Sequence, residues 1–111
     1  MGKEKLFEAL FAQEEIEING NKFIVKEMNA KDAGEYESSL YKQVGNSIQY
    51  VTKNAKEKLV IRTLFEVNGD RVFGLNDIEQ VGQLPASVVD RAFQVATNLN
   101  GLEKEGTEKN L

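Results

Sequence analysis

The sequence predicts an α+β fold: a mainly helical single domain with an N-terminal β-hairpin. Three observations predict it. Asn19-Gly20 separates two short β-prone runs, which is the chemistry of a tight hairpin turn. Later stretches place apolar residues three and four positions apart, the period of a half-buried helix. The chain has 111 residues, 41% hydrophobic and 29% charged, which suits one core of ordinary composition and leaves no room for a second.

The elements follow in order. Residues 3–12 set Leu6, Phe7, Leu10 and Phe11 at helical spacing among Lys3, Glu4, Lys5 and Glu8. A helix that short is marginal alone, so it must dock on its own core or on a partner. Next, Glu15-Ile16-Glu17-Ile18 alternates with period two, and Lys22-Phe23-Ile24-Val25-Lys26 follows the Asn-Gly turn. This is a hairpin over about 14–27, with Ile16, Ile18, Phe23 and Val25 on its buried side.

Asn29 with Asp32 has the look of an N-cap and first-turn acid, opening a helix over 30–43 with Ala33, Tyr36, Leu40 and Tyr41 on one stripe. Residues 44–54 are a short strand or a loop. A helix over 55–66 carries Ala55, Leu59, Val60, Thr63 and Leu64, although the β-branched residues there keep a strand open. Asn76-Asp77 caps a short helix over 76–82. Leu84-Pro85 begins the last helix, 85–100, with Val88, Val89, Ala92, Phe93, Ala96 and Leu99 as its stripe and Gly101 as its stop. Residues 1–102 make the globular domain, and 103–111 a polar, disordered tail.

Composition excludes several function classes. The chain contains no Cys and no His, which removes thiolate catalysis, cysteine zinc sites and the commonest general base. Its net charge of −4 argues against a nucleic-acid binder, which needs a basic surface. No apolar run approaches the ~20 residues that span a bilayer, and no signal segment is visible, so cytoplasmic residence is the expectation. Charge is unevenly spread. Glu14, Glu15, Glu17, Glu27, Asp32, Glu35 and Glu37 give residues 13–40 an acidic excess; Lys42, Lys53, Lys56, Lys58 and Arg62 give 41–66 a basic one. Either these are solvated faces, or they pair with a complementary surface in the same molecule or a neighbour.

Motifs for chemistry fail one by one. Asn68, Asp70 and Glu79 fall at calcium-loop positions one, three and twelve, but Val72 and Phe73 occupy the positions that need an oxygen ligand and a glycine. Gly69 and Gly74 lack the lysine of a phosphate loop. The serines have no activating base. No catalytic, cofactor or metal residue emerges. The candidate partner-binding residues are Leu6, Phe7, Leu10 and Phe11, because their helix is too short to stand alone.

One string is more telling. Arg71-Val72-Phe73, Asn76-Asp77-Ile78-Glu79, Leu84-Pro85-Ala86-Ser87-Val88-Val89-Asp90-Arg91, Phe93 and Leu99-Asn100-Gly101-Leu102, in this order, resemble the tail assembly chaperones of long-tailed (siphovirus-type) bacteriophages. The resemblance covers about residues 64–102. It implies a non-enzymatic factor in the host cytoplasm that binds the tape measure protein and helps gather tail-tube protein. Self-association is compatible with it; a nucleic-acid or membrane partner is not expected. The competing readings are a tail-completion or connector protein of the virion, and a small host regulatory domain that binds a protein or ligand. The empty motif search also sets an expected outcome: elemental analysis after dialysis against a chelator finds no stoichiometric metal.

Overall fold

A computed structural model describes residues 2–102. Its elements in order are α1 (Gly2–Phe7), β1 (Gln13–Ile18), β2 (Asn21–Lys26), α2 (Ala30–Ser39), β3 (Tyr41–Val44), β4 (Ser47–Tyr50), α3 (Ala55–Thr63), β5 (Leu64–Glu66), α4 (Ile78–Gly82) and α5 (Ala86–Leu99). Helix accounts for 44% and strand for 24%. The fold is α+β, with less helical weight than the sequence suggests. Residues 103–111, expected as a polar tail, lie outside the described residues.

Asn19 and Gly20 take φ 53 and φ 81, so the hairpin turns through two left-handed positions that this dipeptide tolerates. Ile18 pairs with Asn21 and Ile16 with Phe23, the register that a two-residue loop imposes. β2 is central, with β1 on one side and β5 on the other, all antiparallel. One face of this sheet carries Ile16, Ile18, Phe23, Val25 and Leu64, with Ile16, Val25 and Leu64 buried. α5 packs against β1 and β2, and α3 packs against α5 and α4. The core forms between them.

The caps are as expected at two helices. Asn29 Oδ1 accepts from the Asp32 N–H at 2.8 Å and starts α2. α5 ends at Gly101, φ 66, where the Leu102 N–H donates back to the Thr97 carbonyl at 2.9 Å, closing a Schellman turn.

Four expectations are corrected. The helix expected over 3–12 stops at Phe7, because the chain must straighten before β1. Ala12 already pairs with Glu27, its carbonyl accepting from the Glu27 N–H at 2.8 Å. The helix expected over 30–43 stops at Ser39, and residues 41–50 form a second hairpin turning through Gly45, φ 60. The helix expected over 55–66 ends at Thr63; Leu64 turns extended and pairs with Val25, filling the open edge of β2. The short helix begins at Ile78 rather than 76. The Asp77 carboxylate reaches back to accept from the Gly74 N–H at 2.7 Å instead of capping forward.

Burial ranks the elements energetically. Leu59 is fully enclosed, so Leu59→Ala is expected to lower the unfolding free energy by ~2–5 kcal/mol through lost contacts and a cavity. Asn29→Ala removes only a cap and should cost about 1 kcal/mol. Chemical denaturation of both variants measures the contrast.

Candidate interaction surface

Chemistry is the first thing the side-chain geometry tests. Among the described residues no group of three or more His, Cys, Asp or Glu could hold a metal ion. In the turn where a calcium loop fails on sequence, Asn68 Oδ1 accepts from the Asp70 N–H at 2.9 Å and the two side chains meet at 3.3 Å. Those oxygens close an Asx turn. The most buried carboxylate, Asp32, is held by the Arg71 guanidinium at 2.9 Å, which ties α2 to the turn after β5. Arg71 also lies over the Phe65 ring, 5.1 Å from its centre. This is a partly exposed ion pair that joins two structural elements.

Apolar exposure is the more informative feature. α1 has no buried residue. Leu6 is 75% exposed, Phe7 86%, Leu10 93% and Phe11 51%. The four do not share one helical face, since Leu10 and Phe11 lie in the non-helical stretch between α1 and β1. They do share a cleft of about 340 Å³ whose floor includes Met28 and Asn29. The candidate residues are therefore together, and uncovered by their own core.

A second uncovered element was not legible in the sequence. In the β3–β4 hairpin Tyr41 pairs with Tyr50 and Gln43 with Ile48, which puts Tyr41, Ile48 and Tyr50 on one face. All three are more than half exposed. The two tyrosine rings meet edge to face, 5.5 Å apart. At the hairpin's base, Tyr41 and Tyr50 join Met28, Leu40 and Leu102 around a cleft of about 260 Å³. Met28 lines both clefts, so the two apolar regions adjoin. Gly45-Asn46 between β-prone residues was the available signal. The helical spacing of Tyr36, Leu40 and Tyr41 obscured it.

Charge is distributed as the sequence implies. Glu15 pairs with Lys22 at 3.4 Å and Glu35 with Lys31 at 3.5 Å, both within the acidic stretch. Lys56 of the basic stretch pairs with Asp90 at 2.7 Å. Among the described residues, no ion pair joins residues 13–40 to residues 41–66.

Comparison with known proteins places this architecture. A family model described as phage tail assembly chaperone matches residues 9–110, far more than the 64–102 stretch that carries the resemblance by eye. Leu6 and Phe7 precede the matched stretch; Leu10 and Phe11 fall inside it. Among solved structures, the bacteriophage HK97 tail assembly chaperone superposes with a TM-score of 0.63. It is 19% identical, and the match covers 88% of this chain and 96% of that one, which shows a shared fold. No curated protein matches the chain.

The hairpin cleft also sets a pH dependence. Burial, with the Tyr50 ring beside it, raises the Tyr36 phenol above the ordinary tyrosine value of 10.0. The unfolded chain then loses this proton first, so the contribution of Tyr36 is intact below pH 10 and is lost as pH rises beyond it. Between roughly pH 9 and 11 the unfolding midpoint should fall more steeply in the natural chain than in Tyr36→Phe.

Proposed function

The chain belongs to the phage tail assembly chaperone family, whose members are non-enzymatic assembly factors, and from that premise we propose that it binds the tape measure protein and helps recruit tail-tube subunits during tail assembly in the bacterial host's cytoplasm. The observation that carries this reading is the uncovered set Leu6, Phe7, Leu10 and Phe11. A long helical partner offers apolar stripes that need cover until the tube encloses them. A small chaperone must present apolar side chains in return.

Magnitude supports the assignment. Burying four large apolar side chains stabilises a complex by ~1.5–3 kcal/mol each, before ordering costs are subtracted. A short, unpacked N-terminal element loses little of its own structure when it binds. No described helix is long and apolar enough to cross a membrane, so the apolar residues are not explained by a membrane-spanning helix.

The test uses Phe7→Asp combined with Phe11→Asp. Both positions are exposed, so thermal stability should stay within the ±0.5 kcal/mol typical of surface substitutions. Co-expression pull-down with the tape measure protein should lose capture. Retained capture by the stable double variant would exclude these residues as the binding face. A much lower melting temperature would assign them to the core instead.

A further inference from the structure

We propose that Asn19 is a site of spontaneous covalent modification, converted through a succinimide to aspartate and isoaspartate, and that the isoaspartate product undoes the first hairpin. The chain holds three Asn-Gly dipeptides: Asn19-Gly20, Asn68-Gly69 and Asn100-Gly101. Each follows an aliphatic residue, Ile18, Val67 or Leu99, so local sequence treats the three alike. In each, the glycine nitrogen can attack the asparagine Cγ, because no Cβ shields the approach. The N–Cγ bond closes a five-membered ring, and the glycine proton leaves with the side-chain nitrogen as ammonia. Water then opens the ring. Opening at Cγ gives aspartate; opening at the main-chain carbonyl gives isoaspartate, whose backbone runs through Cβ and Cγ. One water enters, one ammonia leaves, and nothing is oxidised or reduced.

The fold separates three sites that the sequence leaves equal. Asn100 is locked and half-buried: its Oδ1 accepts from the Met28 N–H and its Nδ2 donates to the Ala96 carbonyl, both at 2.8 Å. The attacking Gly101 N–H is itself directed at the Asn98 carbonyl, 3.4 Å away. Asn68 is exposed but held, with Oδ1 on the Asp70 N–H at 2.9 Å and the Gly69 N–H on the Glu66 carbonyl at 2.9 Å. Asn19 has neither restraint. Among the described residues its side chain has no hydrogen-bond partner, and the Gly20 N–H donates to no backbone carbonyl. Both reacting groups are exposed at the tip of the turn. At the other two sites hydrogen bonds must open before the ring can close; at Asn19 none must.

The two products have different consequences. Aspartate still accepts the left-handed position that Asn19 holds at φ 53, and it adds only a charge. Isoaspartate inserts a methylene into the main chain of a two-residue loop. That loop sets the register in which Ile18 faces Asn21 and Ile16 faces Phe23. β2 is the central strand, and Ile16 and Val25 are core residues, so an error in the turn reaches the core. Asn19 therefore sets a chemical lifetime on the folded chain.

Ageing the full chain in mildly alkaline buffer tests this, with peptide mass mapping to resolve the three sites. Asn19 should convert at least about tenfold faster than Asn100, the ratio expected when two hydrogen bonds must be broken first. In guanidinium chloride the three rates should converge, because only the fold distinguishes them. Asn19→Gly is the control: Gly-Gly supports the same turn and carries no side-chain amide. The unfolding midpoint of the aged natural chain should fall as isoaspartate accumulates, while that of aged Asn19→Gly holds. Conversion of Asn19 no faster than that of Asn100 in the folded chain would overturn the proposal. So would the same ranking persisting in denaturant, or an isoaspartate-bearing chain that unfolds at the midpoint of fresh protein.

Discussion

Leu59, Val60, Ile61 and Thr63 are enclosed within a nine-residue helix, and that burial is the constraint on which the rest of the molecule depends. α3 packs on α5 and α4, touches α2, and runs directly into β5. A helix surrounded in this way must be apolar around much of its circumference. Its one buried hydroxyl, Thr63 Oγ1, is satisfied by the Leu59 carbonyl at 2.8 Å. The sheet and α5 fill the space that α3 defines. A chain of this size has one such core, and what cannot reach α3 remains at the surface.

Two side-chain links hold the periphery to that centre. Asn100, just past α5, accepts from the Met28 N–H at 2.8 Å and donates to the Ala96 carbonyl at the same distance. It fixes where the strand β2 exits, and therefore where Met28 sits between the two clefts. The Arg71–Asp32 pair does the same for α2. With Met28 and α2 fixed, the base of the second hairpin is fixed too, and its apolar face stands beside the N-terminal cleft. The adjacency of the two open apolar regions is thus a consequence of core packing.

Local chemistry was legible wherever one residue type has few alternatives. Asn19-Gly20, Asn29 with Asp32, and Gly101 each meet a backbone requirement that other residues meet poorly, and all three stand where the sequence placed them. Periodicity failed where two conformations bury the same side chain. Leu64 enters the core as a strand residue as readily as it would have ended a helix, and only the open edge of β2 decides between them. Tyr41 continued a helical stripe on paper, but in the fold it opens a hairpin by pairing with Tyr50. The candidate residues Leu6, Phe7, Leu10 and Phe11 were legible as apolar and in need of cover. Their exposure depended on Ala12 joining the sheet through Glu27, a pairing fifteen residues away in sequence.

Exposed apolar residues on a small protein ordinarily invite indiscriminate aggregation, and the sheet edge would be the easiest route. Along β1 that route is obstructed. By the hairpin register, Gln13, Glu15 and Glu17 turn their backbone groups outward along the free edge of β1. Arg91 already donates to the Glu17 carbonyl at 3.1 Å, and a second β1 edge would bring Glu15 and Glu17 against their own kind. A net charge of −4 adds general repulsion. With strand addition opposed at β1, the largest groups of exposed apolar residues are those of the N-terminal segment and the second hairpin. Both are short and peripheral, so they can be covered and uncovered without disturbing the α3 core. The residues that fold the chain and the apolar residues left open at its surface are thus separate sets.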